Sequence, residues 1–160
     1  SGNYGATNVW RSCGKVWGIL CLGLDRTKGF AACWLVAKLF GSSPWLIVLA
    51  GSAAILGHSL SPWIGFKGGK GVATGLGVLA FMSPPIFVGS FCLGVTIIFF
   101  TRMVSVASLS LAWLIPVAAL LLRLPQAYQI FLFVVALYIT IKHIPNIQRL
   151  RAGTENKLSW

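Results

Sequence analysis

Acidic side chains are almost missing from this sequence, in which 2 acidic residues stand against 13 lysines and arginines. Asp25 and Glu155 are its only carboxylates, and the sequence offers no convincing pair of carboxylates for acid–base work, carboxylate metal site or Ser-His-Asp triad. Any chemistry must therefore suit cationic and hydroxyl groups, and we expect no metal and no cofactor.

Hydrophilic stretches long enough to form a soluble core are missing as well. Of the 160 residues, 57% are apolar and 9% are charged, whereas about 25% of residues carry charge in ordinary soluble domains. This balance indicates an integral membrane protein, and we expect a single membrane domain over residues 1–160. The formal charge of +11 favours membrane lipid headgroups and phosphorylated substrates as partners. We expect no nucleic-acid partner, because the basic residues lie in short loops between apolar runs.

Apolar runs are separated by turn signals such as Gly41-Ser42-Ser43-Pro44. A full membrane span needs about 20 residues. Two of the runs are shorter, so we expect them to be partly buried in protein or to flank a loop that dips into the membrane. The pattern predicts an all-α, polytopic transmembrane bundle of about six helices, over residues 16–40, 45–57, 71–82, 85–100, 103–122 and 127–141.

Basic residues collect on one side if six spans alternate across the membrane. That side receives the N-terminus, the loop 58–70, the turn near 102 and the C-terminus, with nine Lys and Arg residues. The opposite side receives two, Lys38 and Arg123. By the positive-inside rule the first side faces the cytoplasm, so we expect the polar motifs at the cytoplasmic face.

Glycines and small polar residues fill residues 1–11, which read Ser-Gly-Asn-Tyr-Gly-Ala-Thr-Asn-Val-Trp-Arg. They lead into a helix that Thr7 or Asn8 could cap. Backbone N–H groups of this segment, together with the Arg11 guanidinium, could hold a cluster of anionic oxygens. The alternative is an ordinary capped helix start near the membrane surface.

A glycine-rich, basic segment, Lys67-Gly68-Gly69-Lys70-Gly71, stands immediately before an apolar helix. Its glycines permit conformations in which N–H groups converge on an anion, and two lysines and a helix N-terminus supply positive potential. It is not a Walker A loop, because Gly65 is one residue too close to Lys70 and Gly71 replaces the Ser or Thr that would hold magnesium. We interpret the segment as a phosphate cradle, and a basic loop that contacts anionic lipids is the alternative.

The segment that leaves the last apolar run reads Lys142-His143-Ile144-Pro145-Asn146-Ile147-Gln148-Arg149-Leu150. An uninterrupted helix would place His143, Asn146 and Leu150 on one face, so that His143 and Asn146 could share a ligand. Pro145 either kinks this helix or begins a new one, which makes the shared face conditional. The alternative for His143 is a hydrogen-bonded structural role.

Charged residues also occur inside the first apolar run, where each unpaired charge would cost about 2.5–3.5 kcal/mol at mid-bilayer. Asp25 and Lys28 share a helical face, so either an internal ion pair or a direct role with substrate is open, and we interpret them as supporting the site. Ser105 and Ser108 also share a face, and the alternative for them is hydrogen bonding of their hydroxyls back to their own helix.

Three motifs of this chain resemble, in order and spacing, those of the PlsY family, the bacterial acyl-phosphate:glycerol-3-phosphate acyltransferases. The motifs are residues 1–8, Gly57-His58 followed by residues 66–74, and residues 142–155. The elements at 24–29 and 104–108 match too, so the resemblance covers essentially the whole chain. Family members have seven membrane helices, and the resemblance therefore implies that this chain lacks the first helix.

This resemblance implies a reaction in phospholipid biosynthesis at the bacterial inner membrane. A fatty acyl group passes from acyl phosphate to the 1-hydroxyl of sn-glycerol 3-phosphate, giving lysophosphatidic acid and inorganic phosphate. Acyl phosphate is already an activated anhydride, so the enzyme mainly positions two phosphates and stabilises developing charge. Either a substrate phosphate or His143 could take the hydroxyl proton. An anion channel or phosphate transporter is the alternative function, because basic sites between broken helices also hold transported anions.

The resemblance also implies which residues form the site. Acyl phosphate would contact Ser1, Gly2, Asn3, Thr7 and the amides of Gly68, Gly69, Lys70 and Gly71. Glycerol 3-phosphate would contact Arg11, Lys70, Ser108, His143 and Asn146, and among these Lys70, His143, Arg11 and Ser108 are the catalytic candidates. Asn8, His58 and Lys67 complete the pocket, and Asp25, Lys28 and Ser105 support it.

Two positions depart from the usual pattern of the family. Lys142 stands where the family usually has Arg, and the order Ser59-Leu60-Ser61-Pro62 differs from the usual placement of Pro. Neither change removes a phosphate ligand. A thioester-dependent acyltransferase with a His-x4-Asp pair is not indicated, because Trp63 stands where that Asp would follow His58.

Overall fold

The computed structural model describes residues 5–66 and 68–158 of the chain. Within these ranges the secondary structure is helical, which confirms the predicted all-α fold class. Ser1, Gly2, Asn3 and Lys67, which were expected at the site, lie outside the described residues. The eight α-helices of the described ranges are α1 (Ala6–Cys13), α2 (Lys15–Phe40), α3 (Pro44–Ser59), α4 (Val72–Met82), α5 (Pro84–Thr101), α6 (Val104–Leu121), α7 (Gln126–Lys142) and α8 (Ile144–Arg151).

Each of the six predicted apolar runs is a helix, from α2 to α7, and the second and third of them are as short as expected. Among the described helices, α5 and α6 have the length and apolar composition of a full membrane span. The pair α7 and α8 adds a third if the two are counted as one bent span. The predicted alternation of six helices across the membrane therefore stays a prediction.

The chain packs as two compact units, an N-terminal unit that ends at Pro84 and a C-terminal unit that begins at Pro85. The N-terminal unit contains α1 to α4, and its core includes Cys33, Ile47 and Val78. The C-terminal unit contains α5 to α8. The expectation of a single membrane domain stays a prediction.

Two glycines allow α2 and α4 to cross at close range. Gly29 on α2 lies against the backbone carbonyl of Thr74, and Gly77 on α4 lies against the backbone carbonyl of Arg26. A side chain at either glycine would meet main-chain atoms, which cannot rotate aside as a flexible side chain can. Because these two positions carry no side chain, α2 and α4 can pack at this short separation. The contact at Thr74 also sets the position of the first turn of α4 against α2.

Helix α1 begins earlier than the sequence indicates. Its N-cap is Gly5, which has extended dihedral angles (φ −76°, ψ 156°) and provides no side-chain cap. The Gly5 carbonyl instead accepts the backbone N–H of Asn8 at 2.8 Å. The prediction that Thr7 or Asn8 caps this helix was wrong, because Ala6 already has helical geometry and both polar residues lie within the first turn.

A sharp break separates α1 from α2 at Gly14, whose φ of +100° is costly for residues with a Cβ. Beyond the break, Gly18 lies against the backbone and Cβ of Trp10, where a side chain of its own would clash. Helix α1 therefore packs on the first turns of α2.

In the C-terminal unit, α6 packs against α7, and both helices bury small side chains, such as Ala112, Ala119 and Ala136. Helix α7 ends at Lys142, and α8 starts with Pro145 in its first turn. The two axes are bent by 59° at this break. Of the two outcomes open from the sequence, Pro145 therefore begins a new helix, where its missing N–H costs nothing.

The glycine crossing makes a prediction about stability. Gly29→Ala places a methyl group against the Thr74 carbonyl, and we expect it to lower the free energy of unfolding by about 1–3 kcal/mol through overpacking. Gly23→Ala, on the same helix with open space beyond its Cα, is the matched control and should be neutral or slightly stabilising. Thermal unfolding in detergent measures both, and equal effects of the two substitutions would contradict the crossing.

Candidate active site

A buried carboxylate organises the polar residues of the N-terminal unit. Asp25 on α2 accepts hydrogen bonds from Lys28 Nζ at 3.0 Å and from the Cys21 thiol at 3.5 Å. His58 Nδ1, from the end of α3, lies 3.5 Å from Asp25 Oδ1. The predicted ion pair of Asp25 with Lys28 is confirmed, whereas the partnership of Asp25 with His58 was not foreseen.

The glycine-rich segment lies directly on the end of α3. A Cβ at Gly68 would overlap the backbone carbonyl of His58, and a Cβ at Gly69 would overlap the imidazole ring of His58. Neither glycine has a positive φ, but Gly71 does, at +81°. Gly68 and Gly69 therefore serve close packing, and only Gly71 supplies the left-handed conformation by which the chain enters α4.

Helix α4 starts immediately after this segment, with Gly71 as its N-cap and no side-chain cap. The N-terminus of α4 therefore presents backbone N–H groups beside Lys70, an arrangement that suits an anionic oxygen cluster. Among the described residues, the buried hydroxyls of Thr74, in the first turn of α4, and of Ser59 have no hydrogen-bond partner. These features fit the interpretation of residues 68–71 as a phosphate cradle.

The candidates on α1 are more accessible than Asp25 and His58, whose side chains are buried. Thr7 and Asn8 are partly exposed, and Arg11 is exposed in the last turn of the helix. A guanidinium at the C-terminal end of a helix is favoured by the helix dipole. The structure places these three side chains on one short helix.

In the C-terminal unit, His143 and Asn146 are both buried, at 3% and 7% exposure, where α7 bends into α8. His143 Nδ1 lies 2.8 Å from the carbonyl oxygen of Ile139. A carbonyl can only accept, so this contact places a hydrogen on Nδ1 and makes Nε2 the acceptor of the neutral ring. The arrangement leaves His143 in the tautomer that a general base requires.

A second buried carboxylate, Glu155, organises the C-terminal unit. Its Oε1 accepts from Ser105 Oγ at 2.9 Å and from Asn146 Nδ2 at 2.7 Å, and its Oε2 accepts from Arg149 Nε at 2.8 Å. Three residues later, the backbone N–H of Leu158 donates to the carbonyl of Arg102 at 2.7 Å. The last described residues therefore tie α8 to the start of α6.

Two opposing effects determine the pKa of Glu155. Burial of the carboxyl group by itself would raise this pKa, but hydrogen bonds from Asn146, Ser105 and Arg149, with the Arg149 charge, hold it below its ordinary value. Glu155 is therefore a carboxylate at neutral pH and acts as an acceptor for three side chains.

Ser105 and Ser108 are both buried near the start of α6. The Ser105 hydroxyl donates to Glu155, across 50 residues of sequence, and does not bond back to its own helix. The alternative of back-bonding was therefore wrong for Ser105. Its role is to hold Glu155, which in turn holds the Asn146 amide.

Sequence reasoning missed Glu155 and Arg149 as parts of the site. The signal that could have found Glu155 is its rarity, because an acid in so basic a chain is expected to collect donors. Nothing local in the sequence links it to Ser105. The structure brings together Asp25, Lys28, His58, Gly68 and Gly69 in one unit, and Ser105, Asn146, Arg149 and Glu155 in the other.

The lowered pKa of Glu155 makes a prediction about acid stability. The stability that this carboxylate contributes is complete above the ordinary Glu pKa of about 4.3. It is lost as the pH falls through the lower pKa of the folded state, where the group takes up a proton. We expect Glu155→Gln to be less stable at pH 7 and to lose less stability than the wild type on acidification. Unfolding measured from about pH 7 to about pH 3 tests this, and parallel curves for the two proteins would contradict it.

Comparison with known proteins shows the family of this chain. The family described as glycerol-3-phosphate acyltransferase matches residues 1–153. The glycerol-3-phosphate acyltransferase of Desulfotalea psychrophila is 45% identical over 163 residues, which cover 100% of this chain and 82% of the relative.

Two solved structures of PlsY (YgiH), an integral membrane glycerol 3-phosphate acyltransferase, share the fold. The glycerol 3-phosphate form is 38% identical, has a TM-score of 0.94 and covers 99% of this chain and 80% of that one. The lysophosphatidic acid form is 37% identical, with a TM-score of 0.92, and covers 99% of this chain and 81% of that one. Both the sequence and the fold show that the chain belongs to the glycerol-3-phosphate acyltransferase family.

Proposed function

We propose that this chain transfers a fatty acyl group from acyl phosphate to the 1-hydroxyl of sn-glycerol 3-phosphate. The observation that carries the proposal is the match in fold and sequence to an acyltransferase solved both with glycerol 3-phosphate and with lysophosphatidic acid. Nothing in the comparisons supports the alternative of an anion channel or phosphate transporter.

The charge balance of the site suits this chemistry. In the reaction the glycerol oxygen forms a bond to the acyl carbonyl carbon, and the bond from that carbon to the phosphate oxygen breaks. The bonding electrons leave with the phosphate, so negative charge grows on the departing group. Cations and backbone N–H groups stabilise such charge when they are already in place, and residues 68–71 with Lys70 provide them beside the start of α4.

Glycerol 3-phosphate is the substrate that we assign to Arg11, Lys70, Ser108, His143 and Asn146. The hydrogen bond from Nδ1 to Ile139 supports the proposal that His143 Nε2 accepts a proton from the attacking hydroxyl. The proton then passes to the departing phosphate or to solvent. Asn146 donates a hydrogen bond to Glu155. This bond fixes the orientation of the Asn146 amide, three residues after His143 in the sequence.

The cellular setting follows from the same proposal. The apolar helices, the product and the membrane relatives support a multi-pass protein of the bacterial inner membrane that contacts lipids directly. The excess of Lys and Arg near the polar motifs supports their placement at the cytoplasmic face, where a phosphorylated, water-soluble substrate is available.

Replacement of Lys70 tests the assignment of the phosphate cradle. We expect Lys70→Ala to lower kcat/KM at least about 100-fold, because it removes a cation that stabilises charge in the transition state. Lys38→Ala is the matched control, since Lys38 is exposed and lies over the Trp34 ring, roughly 20 Å along α2 from Asp25. The assay supplies palmitoyl phosphate with or without glycerol 3-phosphate. It measures the release of phosphate and the formation of lysophosphatidic acid. Wild-type turnover in Lys70→Ala would overturn the role of Lys70, and a wild-type protein without activity would overturn the proposed function.

Replacement of His143 tests its role as the base. We expect His143→Ala to lower kcat by about 100-fold or more and to flatten the rise of kcat with pH, because the acceptor for the hydroxyl proton is removed. Gln148→Ala, at an exposed position of α8, should keep the wild-type rate and pH profile. An unchanged profile and rate in His143→Ala would assign the proton to a substrate phosphate instead.

A further inference from the structure

The His58 imidazole is held between a carboxylate and a glycine. On one side, Nδ1 faces Asp25 Oδ1 at 3.5 Å, and the two side chains are only 9% and 6% exposed. Asp25 is itself fixed by Lys28 and Cys21. The carboxylate, which can only accept, favours the tautomer with a hydrogen on Nδ1 and so fixes the orientation of the ring.

On its other side the ring contacts the glycine-rich segment. A Cβ at Gly69 would overlap Nε2 of His58 and crowd Cε1 and Cδ2. Gly69 is buried, and its φ is not in the left-handed region. Conformational freedom is therefore not the reason for glycine at this position. Glycine is needed at position 69 because the main chain of the segment packs directly on the His58 imidazole.

We propose that Asp25 and His58 are positioning residues that set the place of the loop 68–71 for the phosphate of acyl phosphate. The inference rests on the proposed function, and it changes the role of His58, which the family resemblance places among the substrate-binding residues. One edge of the ring is taken by Asp25 and another by Gly69. His58 thus acts on the substrate through the loop backbone.

The loop needs such a support because it has few of its own. Residues 68–70 have no regular secondary structure, and α4 has no side-chain N-cap to anchor its first turn. Backbone N–H groups stabilise a developing charge only while they stay within hydrogen-bond distance of it. A displacement of about 1 Å can cost 100-fold in rate, and the ring of His58 limits movement of the loop toward α3.

A cycle of substitutions at the contact tests the proposal. Gly69→Ala should lower kcat/KM for acyl phosphate at least about 100-fold, because the new methyl group pushes the loop off the ring. His58→Ala should lower it about 10-fold, and the double variant should match His58→Ala, which makes it about 10-fold or more better than Gly69→Ala. Gly57→Ala is the matched control, because nothing lies within 4 Å of a Cβ at Gly57, and it should retain wild-type activity.

A second variant separates positioning from simple neutralisation of Asp25. His58→Asn keeps an N–H donor near the place of Nδ1 but lacks the ring atoms that contact Gly69. We expect it to keep the wild-type unfolding temperature and to raise KM for acyl phosphate about 10-fold, and to raise KM for glycerol 3-phosphate as well, because the displaced loop carries Lys70. This variant answers the question even if Gly69→Ala does not fold.

Different outcomes would contradict the positioning role of His58 and the proposed function. Wild-type kinetics in His58→Asn, or independent, additive losses in the Gly69 and His58 cycle, would overturn the positioning role while the wild-type protein stays active. A lowered unfolding temperature together with equal increases of KM for both substrates in His58→Asn would overturn it too, because they would indicate a general structural effect. Absence of lysophosphatidic acid formation by the wild-type protein would instead overturn the proposed function.

Discussion

A buried carboxylate must be compensated, and in this protein that requirement organises both units. The chain has two acidic residues, and each is buried in a different unit and surrounded by donors. Asp25 gathers Lys28, Cys21 and His58 in the N-terminal unit. Glu155 gathers Ser105, Asn146 and Arg149 in the C-terminal unit. An unpaired charge at either place would cost several kcal/mol, so the two acids fix the positions of the side chains around them. Loss of either acid would leave these donors without their common acceptor.

Glycines complete this arrangement because they have no side chain at points of close contact. At Gly29 and Gly77 the missing side chains allow α2 and α4 to approach until main chain meets main chain. At Gly69 the missing side chain allows the loop to rest on a ring that a carboxylate orients. In both places the contact partner is rigid or fixed, so a methyl group has no space to occupy. The position of the loop before α4 is thus determined from the helix crossing on one side and from α3 on the other.

Local patterns in the sequence predicted the helices and failed at contacts over long separations. The apolar runs predicted α2 to α7 because periodicity and turn signals are local properties, and the Asp25–Lys28 pair followed from a spacing of three on one helix. The contact of Asp25 with His58 spans 33 positions and that of Ser105 with Glu155 spans 50, and no local rule encodes either. The break at Gly14 was also missed, because an isolated glycine has the same local signature whether the helix continues or turns.

The scarcity of acids now has a chemical reason. Both proposed substrates carry phosphate, and an uncompensated carboxylate near either would repel it, by roughly 4 kcal/mol at 4 Å in a partly polar environment. The chain contains two carboxylates nonetheless, and each has a cation beside it, Lys28 for Asp25 and Arg149 for Glu155. The acids can therefore orient histidine, amide and hydroxyl groups without turning the local field negative. A site that binds two anions can use carboxylates for positioning only on this condition, and both acids of this chain meet it.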